Sequence, residues 1–324
     1  MTAVTVPARG GRPHGLTWAM LRLHRSALWF WVLLVTVAAG ALLWAYHPSA
    51  YDAVEEYRRL NCPGPGSDVY CDSTGPAYQR YSTLMDVGGG LITLVPLLTA
   101  AWAGGALIGR DLENGTARLA WTQSVTPARW LAAKLAVPAA LLVAGTTVLA
   151  LLHRLALTAE GPELRELGWH DVYANSSYLA TGTLAPAYAL LGLAVGALAG
   201  LLLGRSLPAL ATGALGLLVL SSALSTLRPH LWPVRTLIGR SGHPEQPGML
   251  VDEGALTSTG ARVKDPLCTD DLSCLTEHDV TGFYRDYHPP AHFWPLQLTE
   301  TAVVLALTAL TAVAAFHLLK RRMP

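Results

Sequence analysis

The chain has 324 residues, of which 52% are hydrophobic and only 14% are charged, and its mean hydropathy is +0.35. Soluble domains usually carry about 25% charged residues, so this composition excludes an ordinary soluble protein. The formal net charge of +1 gives no reason to expect a nucleic-acid partner.

Six apolar runs divide the chain, and each is about 20 residues or longer, enough for a helix to cross a bilayer core of about 30 Å. A soluble bundle of buried helices is disfavoured, because such helices are usually shorter and keep a polar stripe. The sequence therefore predicts an all-α membrane protein with six spans. The runs cover residues 26–46, 87–108, 130–152, 180–203, 207–226 and 294–319.

The residues before the first run, 15–26, have the sequence GLTWAMLRLHRS. Leu16, Met20 and Leu23 would share one helical face, with the arginines pointing away from it, which is typical of an amphipathic helix lying on a membrane surface. A positively charged flank that orients the first span explains the same residues. No small-residue cleavage site follows the run, so we expect an uncleaved span rather than a signal peptide.

A polar stretch, GRDLENGTARLAWTQSVTPARW at 109–130, separates the second and third runs. Asp111 and Glu113 would favour the start of a short helix, and Asn114-Gly115 predicts a turn. A polar loop held by two spans is well placed to receive force from a partner protein. An ordinary solvated loop is the alternative.

The fourth run contains glycines at four-residue spacing, which let another helix approach closely. The partner helix belongs either to the same chain or to a second subunit. The glycines are Gly192, Gly196, Gly200 and Gly204.

Ionisable residues are scarce within the runs. Lys134 lies near enough to the end of its run to reach the interface, and Glu300 lies near the start of the last run. This scarcity argues against an ion channel or a proton-coupled carrier.

The largest polar segment, 227–293, is rich in proline and glycine and predicts a small cap between spans five and six, with a core that would be marginal alone. Its two cysteines, Cys268 and Cys274, are close in sequence, as are Cys62 and Cys71 in segment 47–86. One disulfide per segment is the economical pairing outside the cytoplasm. Histidines in 227–293 leave a metal site as an alternative, but the cysteine spacings are not those of zinc sites, so we predict no metal.

The distribution of charge predicts the orientation. Segments 1–25, 109–134, 204–206 and 320–324 hold 12 basic and 2 acidic residues, whereas segments 47–86, 153–179 and 227–293 hold 11 basic and 19 acidic residues. Basic residues near span ends mark the cytoplasmic side. Both termini and the 109–130 loop are therefore expected in the cytoplasm, and the 227–293 segment outside the cell.

No motif for a catalytic serine, a zinc protease or a nucleotide-phosphate loop is present in the sequence. We therefore expect no enzyme activity and no cofactor bound by this chain, and any work must draw its energy from a partner.

The stretch ENGTARLAWTQSVTPARWLAAKL resembles the E-x-G-T and S-V-[ST]-R-x-[RK]-W pattern of ABC transporter type-2 permeases, especially the stand-alone permeases of actinomycetes. YHPPAHFWPLQLTE and LLKRR near the C-terminus are similar to that group as well. Pro127 stands where a basic residue is common. The resemblance implies a coupling loop that rests on an ATP-binding subunit through Glu113, Gly115, Thr116, Arg118, Gln123, Ser124 and Arg129.

The resemblance also implies a second permease copy, identical or related, and two ATP-binding subunits that hold ATP and Mg²⁺. We accordingly interpret 1–25 as a cytoplasmic N-terminus, 26–226 as spans one to five, 227–293 as an external domain and 294–324 as span six with a basic tail. The predicted protein is a permease subunit in a bacterial plasma membrane that exports a hydrophobic or amphipathic small molecule. A membrane-embedded sensor or accessory protein that uses 227–293 for binding is the competing interpretation.

Overall fold

The computed structural model describes residues 22–60, 75–122, 125–159, 173–240, 242–244, 248–268 and 272–321. Six helical segments in these ranges are long and apolar enough to cross a membrane, as the apolar runs predict. Residues 15–21 of the predicted amphipathic helix at 15–26 lie outside the described residues. The segments, called spans one to six below, are Arg25–Arg59, Pro76–Glu113, Pro127–Thr158, Leu184–Leu203, Ser206–His230 and Pro290–Arg321.

The first two spans are each irregular. Span one consists of α1 (Arg25–Trp44), a kink at Ala45–Ser49 in which His47 has extended backbone (φ −162°, ψ 127°), and α2 (Ala50–Arg59). Span two consists of α3 (Pro76–Trp102), a π-helical segment (Ala103–Gly109) and α4 (Arg110–Glu113). The remaining helices are α5 (Thr116–Thr122), α6 (Pro127–Thr158), α7 (Asn175–Ala180), α8 (Leu184–Leu203), α9 (Ser206–Leu227), α10 (Leu272–Glu277) and α11 (Phe293–Arg321).

Span two begins earlier than the predicted start at Val87. Pro76 occupies the first turn, where the missing amide hydrogen costs nothing. The Glu56 carboxylate accepts hydrogen bonds from the amides of Ala77 and Tyr78 at 2.9 and 3.0 Å. The end of span one thus caps the start of span two, and satisfies amides that would otherwise lack partners.

The segment between spans five and six contains a four-stranded antiparallel sheet, which the prediction of an all-α protein missed. Its strands lie in the order β1-β4-β2-β3. Six of the nine residues of β4 are buried, including both faces of the strand, so the polar alternation typical of a half-exposed strand is absent from the sequence. The strands are β1 (Arg235–Gly239), β2 (Met249–Thr257), β3 (Arg262–Val263) and β4 (Val280–His288).

Polar contacts hold the sheet and its loops together. The buried Asp286 carboxylate accepts a hydrogen bond from Arg262 Nη1 at 2.6 Å and one from Thr236 Oγ1 at 2.5 Å, which links β4 to β3 and β1. The carboxylate of Asp265 lies 2.8 Å from His243 Nε2. This hydrogen bond lowers the pKa of Asp265 below its usual value, so the carboxylate stays ionised to a lower pH than that of a free aspartate.

The sheet is attached to one end of the helical bundle, where span five ends and span six begins. His288 Nε2 donates to the Pro229 carbonyl at 2.9 Å, and the Tyr173 hydroxyl donates to the Pro289 carbonyl at 2.7 Å. We call this the sheet end. The opposite end, called the loop end, carries α4, α5 and the turn at 204–205 between spans four and five.

Candidate coupling surface

The polar stretch at 109–130 forms a helix-turn-helix at the loop end. Helix α4 ends where the Asn114 amide donates to the Arg110 carbonyl at 3.0 Å, and α5 begins at Thr116. Gly115 joins the two helices with φ +72°, a left-handed conformation that any other L-residue adopts at a cost. The Thr116 hydroxyl donates to the Asp111 carbonyl at 3.2 Å and braces the turn.

Several of the predicted coupling residues lie on the surface of this loop. Thr116 and Arg118 are exposed on the turn and on α5, and Arg129 is exposed on the first turn of span three. Leu119, beside Arg118, is 60% exposed. The loop therefore presents cationic and apolar side chains together, as a protein-binding surface does. Gln123 and Ser124 lie outside the described residues.

Glu113, another predicted coupling residue, contacts a different span. Its Oε2 accepts hydrogen bonds from the backbone amide and from the hydroxyl of Ser206, at 2.9 and 2.6 Å. Ser206 is the first residue of span five, so the carboxylate satisfies an amide at the positive end of that helix. The two residues are 93 positions apart, and no local sequence pattern indicates the contact.

A buried ion pair joins the loop to span three. Lys134 Nζ lies 2.7 Å from Asp111 Oδ2 and also donates to the Leu107 carbonyl at 2.7 Å. The Lys134 side chain is 2% exposed, so the expectation that it extends to the interface is wrong. A lysine this deeply buried keeps its charge only with a partner, and Asp111 is that partner.

The glycines of span four lie against span two. A Cβ atom at Gly192 would collide with the Pro96 carbonyl oxygen, and one at Gly196 with that of Ala100. At Gly200 it would come within 2.8 Å of Ile108 Cβ. The backbones of spans two and four are thus in contact within one chain. Gly204 has a different position, because it ends span four with φ +61° and has nothing within 4 Å of its Cβ direction.

The π-helical segment of span two makes a second close approach, to span five. A Cβ at Gly104 would lie 2.5 Å from the Ala209 carbonyl oxygen, and one at Gly109 would lie 3.1 Å from Ser206 Cα. The wider turn shifts the backbone hydrogen bonds, since the Arg110 amide donates to Gly105. Spans two, four and five therefore pack backbone to backbone near the loop end.

A buried polar network lies at the sheet end. Arg228, at the end of span five, donates from Nε and Nη2 to the two carboxylate oxygens of Glu300 on span six, at 2.7 and 3.1 Å. The Tyr188 hydroxyl on span four donates to Glu300 at 2.8 Å, and the Arg228 guanidinium lies 4.3 Å from the centre of the Tyr178 ring. Arg228 and Glu300 are 5% and 0% exposed.

This network was only partly visible in the sequence. Glu300 stands out as an acid within an apolar run, and Arg228 follows the end of another run. In a six-span topology the end of span five and the start of span six lie on the same side of the membrane. That shared side is the signal that would have suggested the pair.

A cavity of about 190 Å³ lies beside this network, between spans two, four and five. It is partly polar. Ser221, Ser222 and Ser225 of span five line it together with Tyr188 and Arg228.

The cysteines of the sheet domain form the predicted disulfide. Cys268 and Cys274 are bonded, with a Cα–Cα distance of 5.5 Å. His278 lies near them, and these three residues are the one group with metal-site geometry within the described ranges. Sulfurs joined in a disulfide are not thiolates and do not serve as metal ligands of the usual kind. Cys62 and Cys71 lie outside the described residues.

The helices and the loop geometry together define a multi-pass membrane protein. A sequence model of the family described as ABC-2 membrane transporter related matches residues 33–228, which include most of span one, all of spans two to four and nearly all of span five. The chain belongs to the ABC-2 membrane transporter related family. This membership indicates a membrane transport subunit, and agrees with the resemblance seen in the sequence. No curated protein and no solved structure matches the chain.

Proposed function

We propose that this chain is the permease subunit of an ATP-driven exporter of hydrophobic or amphipathic small molecules. Two copies of a separate ATP-binding subunit would supply the energy, with ATP and Mg²⁺ bound to them. A second permease copy would complete the complex in a bacterial plasma membrane. The observation that carries the proposal is the exposed helix-turn-helix of 110–122 with Glu113 bonded to span five.

The contacts of the loop suggest how motion would spread. Force on α5 reaches α4 through the turn at Gly115, and α4 holds span five through Glu113 and span three through Asp111. Spans two, three and five would therefore move together when the ATP-binding subunits close, and such rigid motion of packed elements is how transporters change access.

The substrate path would lie between the two permease copies and would be lined by spans two and five. The lining by spans two and five is supported by the small cavity that these spans share with span four within one chain, because it combines apolar side chains with the hydroxyls of span five. Amphipathic cargo needs both kinds of contact.

The proposed orientation predicts which surfaces an impermeant thiol reagent reaches in intact cells. Thr259 in the sheet domain and Arg118 in the loop are both exposed, so each accepts a cysteine without disturbing the core. We expect Thr259→Cys to be labelled from outside and Arg118→Cys to be labelled only after the cells are opened. The parent protein is the control for native cysteines. Labelling of Arg118→Cys in sealed cells would reverse the orientation and remove the coupling role of the loop.

The coupling role predicts a selective loss in Glu113→Gln. The glutamine weakens the charge-assisted bonds to Ser206, so span five follows the loop less closely. We expect the cognate ATP-binding subunit to co-purify and hydrolyse ATP, while transport per ATP falls severalfold. The measurement is transport and ATP hydrolysis on the same reconstituted vesicles.

The matched control is Glu56→Gln, because Glu56 caps the start of span two at the sheet end in the same way. The Glu56→Gln variant should lower thermal stability about as much as Glu113→Gln does and leave transport per ATP unchanged. If both variants transport normally, Glu113 is only a helix cap. If no ATP-binding protein co-purifies with the wild type, the sensor or accessory interpretation replaces the permease.

A further inference from the structure

A large cavity lies at the loop end, and its wall includes Asp111 and Asn114 of the 109–130 loop. Its volume is about 900 Å³, and spans one, two and three form most of its wall. Leu23 and Phe30 at its rim are 65% and 56% exposed, so the cavity opens to the surface of the bundle. Its apolar wall includes Trp31, Leu34, Leu98, Trp102, Val137 and Leu142.

The wall is shaped by close packing. The Trp31 ring lies over Gly145, where an added Cβ would come within 2.5 Å of the ring, so a glycine at 145 is what lets the ring lie there. The Thr99 hydroxyl donates to the Val95 carbonyl of its own helix at 2.7 Å. The Thr99 hydroxyl therefore adds no unpaired donor to the wall. Apart from its polar end, the cavity is lined mainly by apolar side chains.

One end of the cavity is polar and carries a net positive charge. Arg110, Asp111 and His24 line it. The charge of Asp111 is balanced by Lys134 at 2.7 Å, whereas Arg110 has no ion-pair partner among the described residues. His24 Nε2 is buried and has no hydrogen-bond partner there. A buried polar atom without a partner is costly and indicates a missing contact.

This combination identifies a class of ligand. About 300–1,000 Å³ is the usual size of a small-molecule site, so the volume suits one amphipathic molecule. Inside a bilayer a hydrocarbon chain gains little by leaving lipid for an apolar wall, because both surroundings are equally apolar. The preference for one amphipathic ligand over another must therefore come from the polar end of the cavity, where a guanidinium favours a phosphate group.

We propose that this cavity binds one anionic phospholipid of the surrounding membrane, with its phosphate at Arg110 and His24 and an acyl chain along Trp31 and Trp102. Asn114, at the α4–α5 turn, also lines the polar end. The lipid headgroup therefore lies beside the turn of the coupling surface, and its presence stabilises that turn.

The test uses the full chain in nanodiscs of phosphatidylcholine with a few per cent phosphatidylglycerol that carries a photoactivatable acyl chain. We expect adducts on the residues of spans one to three that line the cavity, in preference to Val313 on span six, which lies outside the cavity and is 66% exposed. Arg110→Gln should lower these adducts roughly tenfold, the effect of losing one charge-assisted hydrogen bond. Arg118→Gln removes a nearby exposed charge outside the cavity and should leave them unchanged.

Native mass spectrometry of the same variants supplies a second readout. The wild type and Arg118→Gln should each retain phosphatidylglycerol through detergent exchange, and Arg110→Gln should not. Equal retention by all three proteins, equal labelling by a zwitterionic photoactivatable lipid, or adducts no denser in the cavity than at Val313 would each overturn the proposal.

Discussion

Replacing Glu300 with alanine is expected to destabilise the protein by about 3–5 kcal/mol, the cost of leaving a buried charge without its partner. Arg228 would lose both of its bonds to the carboxylate, and Tyr188 would lose its acceptor. Neither Arg228 nor Glu300 is exposed enough for water to replace the lost contacts. Thermal unfolding of the purified protein in detergent measures the effect.

A double replacement distinguishes the effect of an unpaired charge from the effect of lost side-chain volume at these two positions. Arg228→Met with Glu300→Met removes both charges and keeps much of the volume, so most of the lost stability should return. The exposed pair Arg59–Glu55, at 3.2 Å, is the matched control. Glu55→Ala should cost no more than about 0.5 kcal/mol, because water screens the pair. A small effect at Glu300 would show that the network is dispensable, whereas no recovery in the double variant would show that the unpaired charge is not the cause of the lost stability.

Gly196→Ala is expected to destabilise the protein by about 1–3 kcal/mol, although alanine is the better helix former. The new Cβ would meet the Ala100 carbonyl oxygen and would lie 2.9 Å from Ala103 Cβ. The oxygen is a backbone atom of a packed helix, so neither span can yield without separating from the other. The measurement is the thermal midpoint, together with the fraction of protein that elutes as a single species after gel filtration.

Gly40→Ala is the control for the glycine replacement itself. Gly40 also lies in a membrane span and has nothing within 4 Å of its Cβ direction. The Gly40→Ala variant should be as stable as the wild type or more stable by up to about 1 kcal/mol. If Gly196→Ala behaves like Gly40→Ala, spans two and four do not pack as closely as the structure indicates.

The spans were predictable because a membrane helix must be apolar over its whole length, and that signal needs no knowledge of partners. Their ends were less predictable. Span two was predicted too short because Arg80 and Asp86 interrupt its hydropathy, while α2 (Ala50–Arg59) is too polar to be found by apolar length. The sheet was missed because β1 and β3 are short, the strands are separated by segments that contain proline and glycine, and β4 is buried on both faces.

The position of the 109–130 loop between spans two and three was predictable from the sequence, whereas its contacts were not. Glu113 and Gly115 belong to a local pattern, and the left-handed turn at Gly115 follows from the Asn-Gly dipeptide. The bonds from Glu113 to Ser206 and from Lys134 to Asp111 depend on how the spans pack. Such contacts join residues that are distant in sequence, and a single sequence does not indicate which distant residues are in contact.

The two ends of span five are held by carboxylates from other parts of the chain, Glu113 at its start and Glu300 through Arg228 at its end. Helix α9 between them has 22 residues and is about 33 Å long. A helix fixed at both ends cannot unwind or slide to absorb a displacement, and tilting is the movement left to it. We therefore expect span five to move as one body, so that a shift at its loop end is also felt at the sheet domain.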